Sequence, residues 1–269
     1  IHDANDSEGP VSNLLAVGDD ATITARAYAD IDAAATSTTG SATSTATTAA
    51  VDGLQADTLS IGNDGTVKAY ADTLSDVAAT TTDGDALATN TLTASQGLDL
   101  DNLSVGNTAG SGTAFGVVGS AIVNLDTDAT VNGGQTGDDA DADAEVGTVI
   151  GAQFGDGDDT TDETGLSVGA HSNVAGTASV TSDADGSATG GGAEVLNLIT
   201  TEATGLELNE AGSVGADSTI SATATVDLDA DASNVGATAT DNAEAAAGGE
   251  YVAGLKLLSD DADLRVGAT

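Results

Sequence analysis

Cysteine, methionine and tryptophan are absent from the 269 residues, proline occurs once, and four basic residues stand against 44 acidic ones. Each shortage closes off a class of protein. Without cysteine there is no disulfide framework, no thiolate nucleophile and no zinc–thiolate centre, and the redox compartment cannot be read from cysteine usage. Arg26, Lys68, Lys256 and Arg265, set in a chain of formal charge −40, cannot neutralise a phosphate backbone, which excludes nucleic acid as a partner. The same charge repels an anionic membrane surface. The longest weakly polar stretch, Gly112 to Leu125, is interrupted by glycine and falls short of the ~18 apolar residues of a spanning helix, so no membrane insertion is expected. A chain opening Ile1-His2-Asp3 has no initiator methionine, which points to a secreted product whose leader has been removed.

What remains is hydrophobic at 39% of positions, and glycine supplies 35 residues. Extreme charge and alanine richness would suit a disordered chain, but the patterning is too strict for one. Ile23, Ala25, Ala27, Ala29, Ile31 and Ala33 alternate with Thr22, Thr24, Arg26, Tyr28, Asp30 and Asp32. Ile220, Ala222, Ala224, Val226, Leu228 and Ala230 alternate likewise with Ser221, Thr223, Thr225, Asp227 and Asp229. A period of two turns successive side chains to opposite faces of a strand, here a small-residue inner face and a Thr/Asp outer face. Glycine at this density also argues against helix, costing about 1 kcal/mol at each interior position.

Two motifs punctuate the strands. Leu15-Ala-Val-Gly18 recurs as Leu59-Ser-Ile-Gly62, Leu103-Ser-Val-Gly106, Leu166-Ser-Val-Gly169, Gly212-Ser-Val-Gly215 and Leu264-Arg-Val-Gly267, the first three copies 44 residues apart. Gly53-Leu54, Gly97-Leu98, Gly205-Leu206 and Gly254-Leu255 open the runs that lead into copies of it. Ala27-Tyr28-Ala29-Asp30 reads as the counterpart of Ala69-Tyr70-Ala71-Asp72, which places Tyr28 and Tyr70 at equivalent positions. The later, uneven spacings are expected where insertions fall in the loops of one repeated unit, the longest between the third and fourth copies. The fold class expected is all-β, a β-solenoid-like repeat architecture; the alternative is a pilin-like or immunoglobulin-like β-sandwich. In the solenoid reading a 44-residue repeat supplies two coils of about 20 residues, and the whole forms a rod on the order of 50 Å long. No linker divides the chain, so residues 1–269 are read as one elongated domain.

Candidate chemistry is confined to acids. Asp138, Asp139, Asp141, Asp143 and Glu145 form one cluster, and Asp156, Asp158, Asp159, Asp162 and Glu163 a second. Calcium takes six to eight oxygen ligands, so glycine-flexible turns dense in aspartate are candidate calcium sites. From Asp139 the EF-hand spacing starts correctly but meets Ala144 where glycine is required and Ile150 where glutamate is required, leaving a solvated acidic loop as the alternative. No enzyme activity is expected. His2 lies near a terminus, and His171, in Gly169-Ala-His-Ser-Asn173, reads as an exposed turn histidine rather than part of a triad. The Thr-x-Thr pairs Thr22/Thr24, Thr91/Thr93, Thr223/Thr225 and Thr238/Thr240 are too irregularly placed for an ice-ordering array and fit surface strands. Asn5-Asp-Ser7 and Asn102-Leu-Ser104 match the glycosylation pattern.

The repeated Gly-Leu and Leu-Ser-Val-Gly units, the Thr/Asp alternation and the scarcity of lysine, cysteine and aromatics together resemble the secreted bacterial β-strand-repeat surface proteins, a group of extracellular fibres, adhesins and surface-layer components. The resemblance implies a non-enzymatic extracellular or cell-surface role, in saline surroundings that screen the charge. The sequence starts within one copy of the repeat (Ser12 to Gly18) and stops just after another begins (Leu264 to Thr269). An interrupted repeat leaves a sheet edge that templates pairing with another chain. The expectation is a homopolymer, a structural subunit joined head to tail by its terminal strands into a filament or surface layer. The alternative is a calcium-stabilised adhesive module of a larger surface protein.

Overall fold

The computed structural model describes residues 14–106, 115–133, 135, 137–155, 165–236, 242–258 and 264–266. Among them every element is a strand and every strand pair is parallel. The protein is all-β and repeat-like. An immunoglobulin-like sandwich is built from antiparallel sheets, and no such pairing occurs among the described residues.

The first sheet holds five strands: β2 (Thr22–Ser37), β4 (Thr66–Thr81), β6 (Phe115–Val131), β9 (Ser172–Thr189) and β12 (Thr219–Val235). The second holds β3 (Ala42–Ile61), β5 (Ala86–Val105), β7 (Ala140–Phe154), β10 (Ala193–Leu208) and, beside β10, both β13 (Ala243–Gly249) and β14 (Val252–Leu257). Four short strands belong to it too: β1 (Leu14–Val17), β8 (Leu166–Val168), β11 (Gly212–Val214) and β15 (Leu264–Val266). The chain alternates between sheets and advances one strand in each. At the crossing from the first sheet to the second stand Gly40, Gly84, Gly133, Gly190 and Gly236, all at positive φ, where glycine carries no Cβ penalty.

Register corrects the expected size of the repeat. Thr22 pairs with Thr66 and Ala42 with Ala86, so 44 residues add one strand to each sheet, not two coils of about 20. The reason is strand length: the alternation persists for 16 residues in β2 and 20 in β3, and one strand consumes half a repeat. Five layers at ~4.8 Å stand roughly 20 Å tall, whereas strands of this length run roughly 50–65 Å. The long dimension therefore lies along the strands, not along the stacking direction. Insertions between the sheets fall in connections, as expected: Val67 pairs with Val117 and Leu92 with Val146. One splits a strand instead: unbroken β5 pairs through Leu100 with Phe154 of β7 but through Leu103 with Leu166 of β8.

The motifs mark columns. Leu15, Leu59, Leu103, Leu166, Gly212 and Leu264 are successive register partners. Leu59, Leu103 and Leu166, with Ile61, Val105, Val168 and Val214, belong to the leucine-rich end of the core, and Leu15 and Leu264 pack against it. Alanines (Ala42, Ala86, Ala88, Ala140, Ala142, Ala184) dominate the other end. The tyrosine alignment is corrected by two residues. Tyr70 pairs with Arg26, and Tyr28 pairs with Asp72; a shift of two preserves the face, so alternation alone cannot detect it.

Polar side chains inside the core set the sheets' mutual position. Buried Asn90 of β5 donates through Nδ2 to the carbonyls of Ser75 in β4 and Asp126 in β6, each at 3.2 Å, and its Oδ1 accepts from Ser75 Oγ at 2.8 Å. Asn197 repeats the grip two layers on, reaching Ser182 O at 2.7 Å and Asp229 O at 2.5 Å. Each asparagine of the second sheet thus clamps two adjacent strands of the first. Asn90→Ala should cost about 2–3 kcal/mol, from the lost bonds and the cavity left behind, read as a lower urea midpoint at unchanged m. A midpoint equal to the parent's would remove the clamp from this account.

Candidate functional site

The outer face of the first sheet carries a feature that no local motif signals. Asp32, Asp76, Asp126, Asp183 and Asp229 are consecutive register partners across all five strands. A second file, Asp128, Asp185 and Asp231, runs beside it two residues along. Parallel in-register pairing sets neighbouring carboxylates of a file ~5 Å apart, and the files themselves ~7 Å apart. Like charges directly opposite each other destabilise a sheet, by about 1 kcal/mol per pair at the dielectric of water and more where water is excluded. The titration behaviour reflects this. Partial burial first, then Asp76 and Asp183, raise the Asp126 carboxyl; burial, Asp126 and Asp185 raise Asp128; burial, Asp183 and Asp231 raise Asp185. A cleft of about 420 Å³ lined by Asp185, Gly186, Ser187, Asp231, Ala232 and Ser233 lies beside the shorter file.

The first acidic cluster singled out from the sequence lies on the second sheet and its turns. Asp138 and Asp139 precede β7 and serve its turn: Asp138 Oδ2 accepts from Gln135 N at 2.8 Å, and Asp139 Oδ1 accepts from Gly192 N at 2.9 Å, while Asp139 N donates to Asp85 Oδ1 at 3.2 Å. Asp141, Asp143 and Glu145 follow on alternate positions of β7, between buried Ala140, Ala142, Ala144 and Val146. Alternation spreads these three along the strand at ~7 Å intervals rather than closing them around a point. Asp141 opposes Glu194 of β10. Burial, then Asp139 and Glu194, push its carboxyl up to about 6, and burial with Glu145 and Glu194 also raises Asp143. Asp156, Asp158, Asp159 and Asp162 lie outside the described residues. Among the described residues no three carboxylate or imidazole groups are placed to hold one metal ion together.

His171 occupies a left-handed turn position (φ 60°), as do Asp20, Asp64 and Asp217. Its Nδ1 lies 3.8 Å from Asp217 Oδ2, and both side chains are partly exposed. Thr22/Thr24 and Thr223/Thr225 face outward on the first sheet and Thr91/Thr93 belongs to the second, whereas Thr238/Thr240 lies outside the described residues.

The basic residues cluster at the two ends of the stack: Arg26 in β2 and Lys68 in β4, Lys256 in β14 and Arg265 in β15. Arg26 Nε donates to Asp72 Oδ2 at 2.7 Å. Lys256 bridges Glu202 and Glu207 of β10 and lies 5.5 Å from the Tyr251 ring centre; burial nonetheless outweighs it at Glu207, whose carboxyl is raised.

The ends differ from the middle in another respect. Inner-facing residues of β4, β6 and β9 are almost all buried, whereas those of β2 and β12 are only half-buried along their whole length. Large apolar side chains exposed at the ends include Leu14, 61% exposed, Tyr28, Val235, Val252, Leu257 and Leu258. Among the described residues, β2 and β12 each pair on one side only. Searches against protein-family models, curated proteins and solved structures find no match to this chain.

Proposed function

We propose that the chain is a non-enzymatic structural subunit of an extracellular filament or surface layer. Its two sheets form a flattened β-solenoid that lengthens when the last layer of one copy receives the first layer of the next. The observation that carries this reading is the state of the two outer strands of the first sheet, β2 and β12, whose inner-facing residues are only half-buried along their whole length and which each pair on one side only among the described residues. Such edges template strand addition, and head-to-tail contacts of this kind need not close. In a chain of net charge −40, salt is expected to promote the contact by screening repulsion beyond a Debye length of ~8 Å at physiological strength. Sedimentation velocity should show species growing from monomer to polydisperse oligomers between 0.05 and ~1 M NaCl, with fibres in negative stain. A single monomeric boundary throughout would refute the proposal.

A second reading, a calcium-stabilised adhesive module, is favoured by the aspartate files. Divalent cations between in-register carboxylates would offset their repulsion. Millimolar calcium should then raise the unfolding temperature more than sodium at matched ionic strength, and Asp126→Asn with Asp183→Asn should remove the difference. Equal midpoints in the two salts would leave the acids as a solvated face.

A further inference from the structure

The layers can be continued residue by residue past the end of the stack. Outer and inner positions of β12 correspond to those of β2 with a constant offset, Ile220 to Ile23 and Leu228 to Ile31. In the second sheet Leu255 corresponds to Leu54 and Gly254 to Gly53, through β10, β7 and β5. A second copy therefore fits on the first with β2 against β12 and β3 against β13 and β14, every inner face kept inward. This placement has a consequence. The Leu-x-Val column has six members, β1 in the first layer and β15 one layer beyond β11. When β2 of the incoming copy meets β12, its β1 falls on the place that β15 of the first copy already fills.

Resting on the head-to-tail reading, we propose that the junction is a strand exchange: β15 of one copy stays seated and pairs with Thr58–Ile61 of the next, displacing that copy's own β1. Two observations favour β15 as the occupant. Leu264 fills the gap left where the column has Gly212 instead of leucine, its Cδ1 lying 3.1 Å from where a Gly212 Cβ would sit, and it packs on the leucine-rich core. Leu15 and Val17 of β1 pack on the same core and are half-buried, as Leu264 is, but β1 also leaves Leu14 61% exposed. Seating β15 also places the Arg265 cation, rather than Ala16, at the joint between two acidic chains, where opposite charge favours association.

The chain has no cysteine, so introduced pairs report the junction directly. Neighbouring parallel strands place Cα atoms ~5 Å apart, within disulfide range. Partners in one chain lie several layers apart, so each bond must be intermolecular. Ser221→Cys with Thr24→Cys joins β12 to the next β2 and reports stacking alone. Ser60→Cys with Arg265→Cys joins β15 to the next β3 and reports the exchange; Ser213→Cys with Ala16→Cys joins β11 to the next β1 and reports its opposite. All these positions lie on outward faces. In ~1 M NaCl with mild oxidant, the first two variants should give ladders of multimers on non-reducing gels, at least ten-fold over the third. Ladders from the first and third but not the second overturn the exchange and leave stacking intact. No ladder from any variant overturns the head-to-tail reading itself.

Discussion

Gly151→Val is expected to abolish cooperative folding. Gly53, Gly97, Gly151, Gly205 and Gly254 form one column of the second sheet, and there the backbones of the two sheets meet. A Cβ on Gly151 would strike the Thr177 amide nitrogen and the Gly205 carbonyl oxygen, and one on Gly97 would strike Ser120 N and Gly151 O. These obstacles are backbone, not the flexible end of a side chain, so relief requires the sheets to part over several layers. The expected loss exceeds about 4 kcal/mol, a large share of the 5–15 kcal/mol by which domains are stable. Gly248→Ala is the matched control, because its nearest neighbour, Leu198 Cδ2, would lie at an ordinary 3.5 Å. Far-UV circular dichroism and urea unfolding in ~1 M NaCl separate the cases. A Gly151→Val protein with a native spectrum and a midpoint near the parent's would show that the sheets do not approach as described.

The second large effect is an inverted response to acid. Asp99, Asp126, Asp128, Asp141, Asp143, Asp185 and Glu207 all have carboxyls raised in the folded chain, burial being the first cause in each. A carboxyl whose folded pKa exceeds its unfolded value binds its proton more tightly in the fold. The fold is therefore penalised when that group is ionised, and the penalty is lifted as pH falls from the folded value toward the unfolded one. For Asp141 the window runs from about 6 down to 3.8. Discounting for the water that reaches it, this group contributes about 1–2 kcal/mol, and the aspartate files add to it in the same direction. The urea midpoint at 0.05 M NaCl should rise between pH 7.5 and 5, and the rise should shrink in ~0.5 M NaCl as the repulsive part is screened. Asp126→Asn with Asp183→Asn should raise stability at pH 7.5 and flatten the profile. A midpoint that falls monotonically with acidification would contradict the whole electrostatic description.

These effects differ in how far the sequence announces them. The alternation of β2 and β12 and their Thr/Asp outer face are visible in single stretches, because side-chain direction along a strand depends on nothing beyond the strand. The Leu-Ser-Val-Gly copies are visible as well, and the structure stacks them in one column. The glycine column was legible in four of its five members; Gly151 escaped because alanine, not leucine, follows it. The calcium candidates rest on local density of aspartate, and density along a strand spreads ligands over ~7 Å steps.

The sequence by itself determined an all-β chain with small inward residues, repeated punctuation and a formal charge of −40, since these depend only on composition and a period of two. The tertiary structure alone decided which residues become neighbours. Asp32, Asp76, Asp126, Asp183 and Asp229 align only because connections of different length absorb the insertions between them. The two-residue displacement of Tyr28 against Tyr70 and the grip of Asn90 on two strands have the same origin. Register is set by hydrogen bonding and packing across a whole layer, and alternation reads the same after every shift of two.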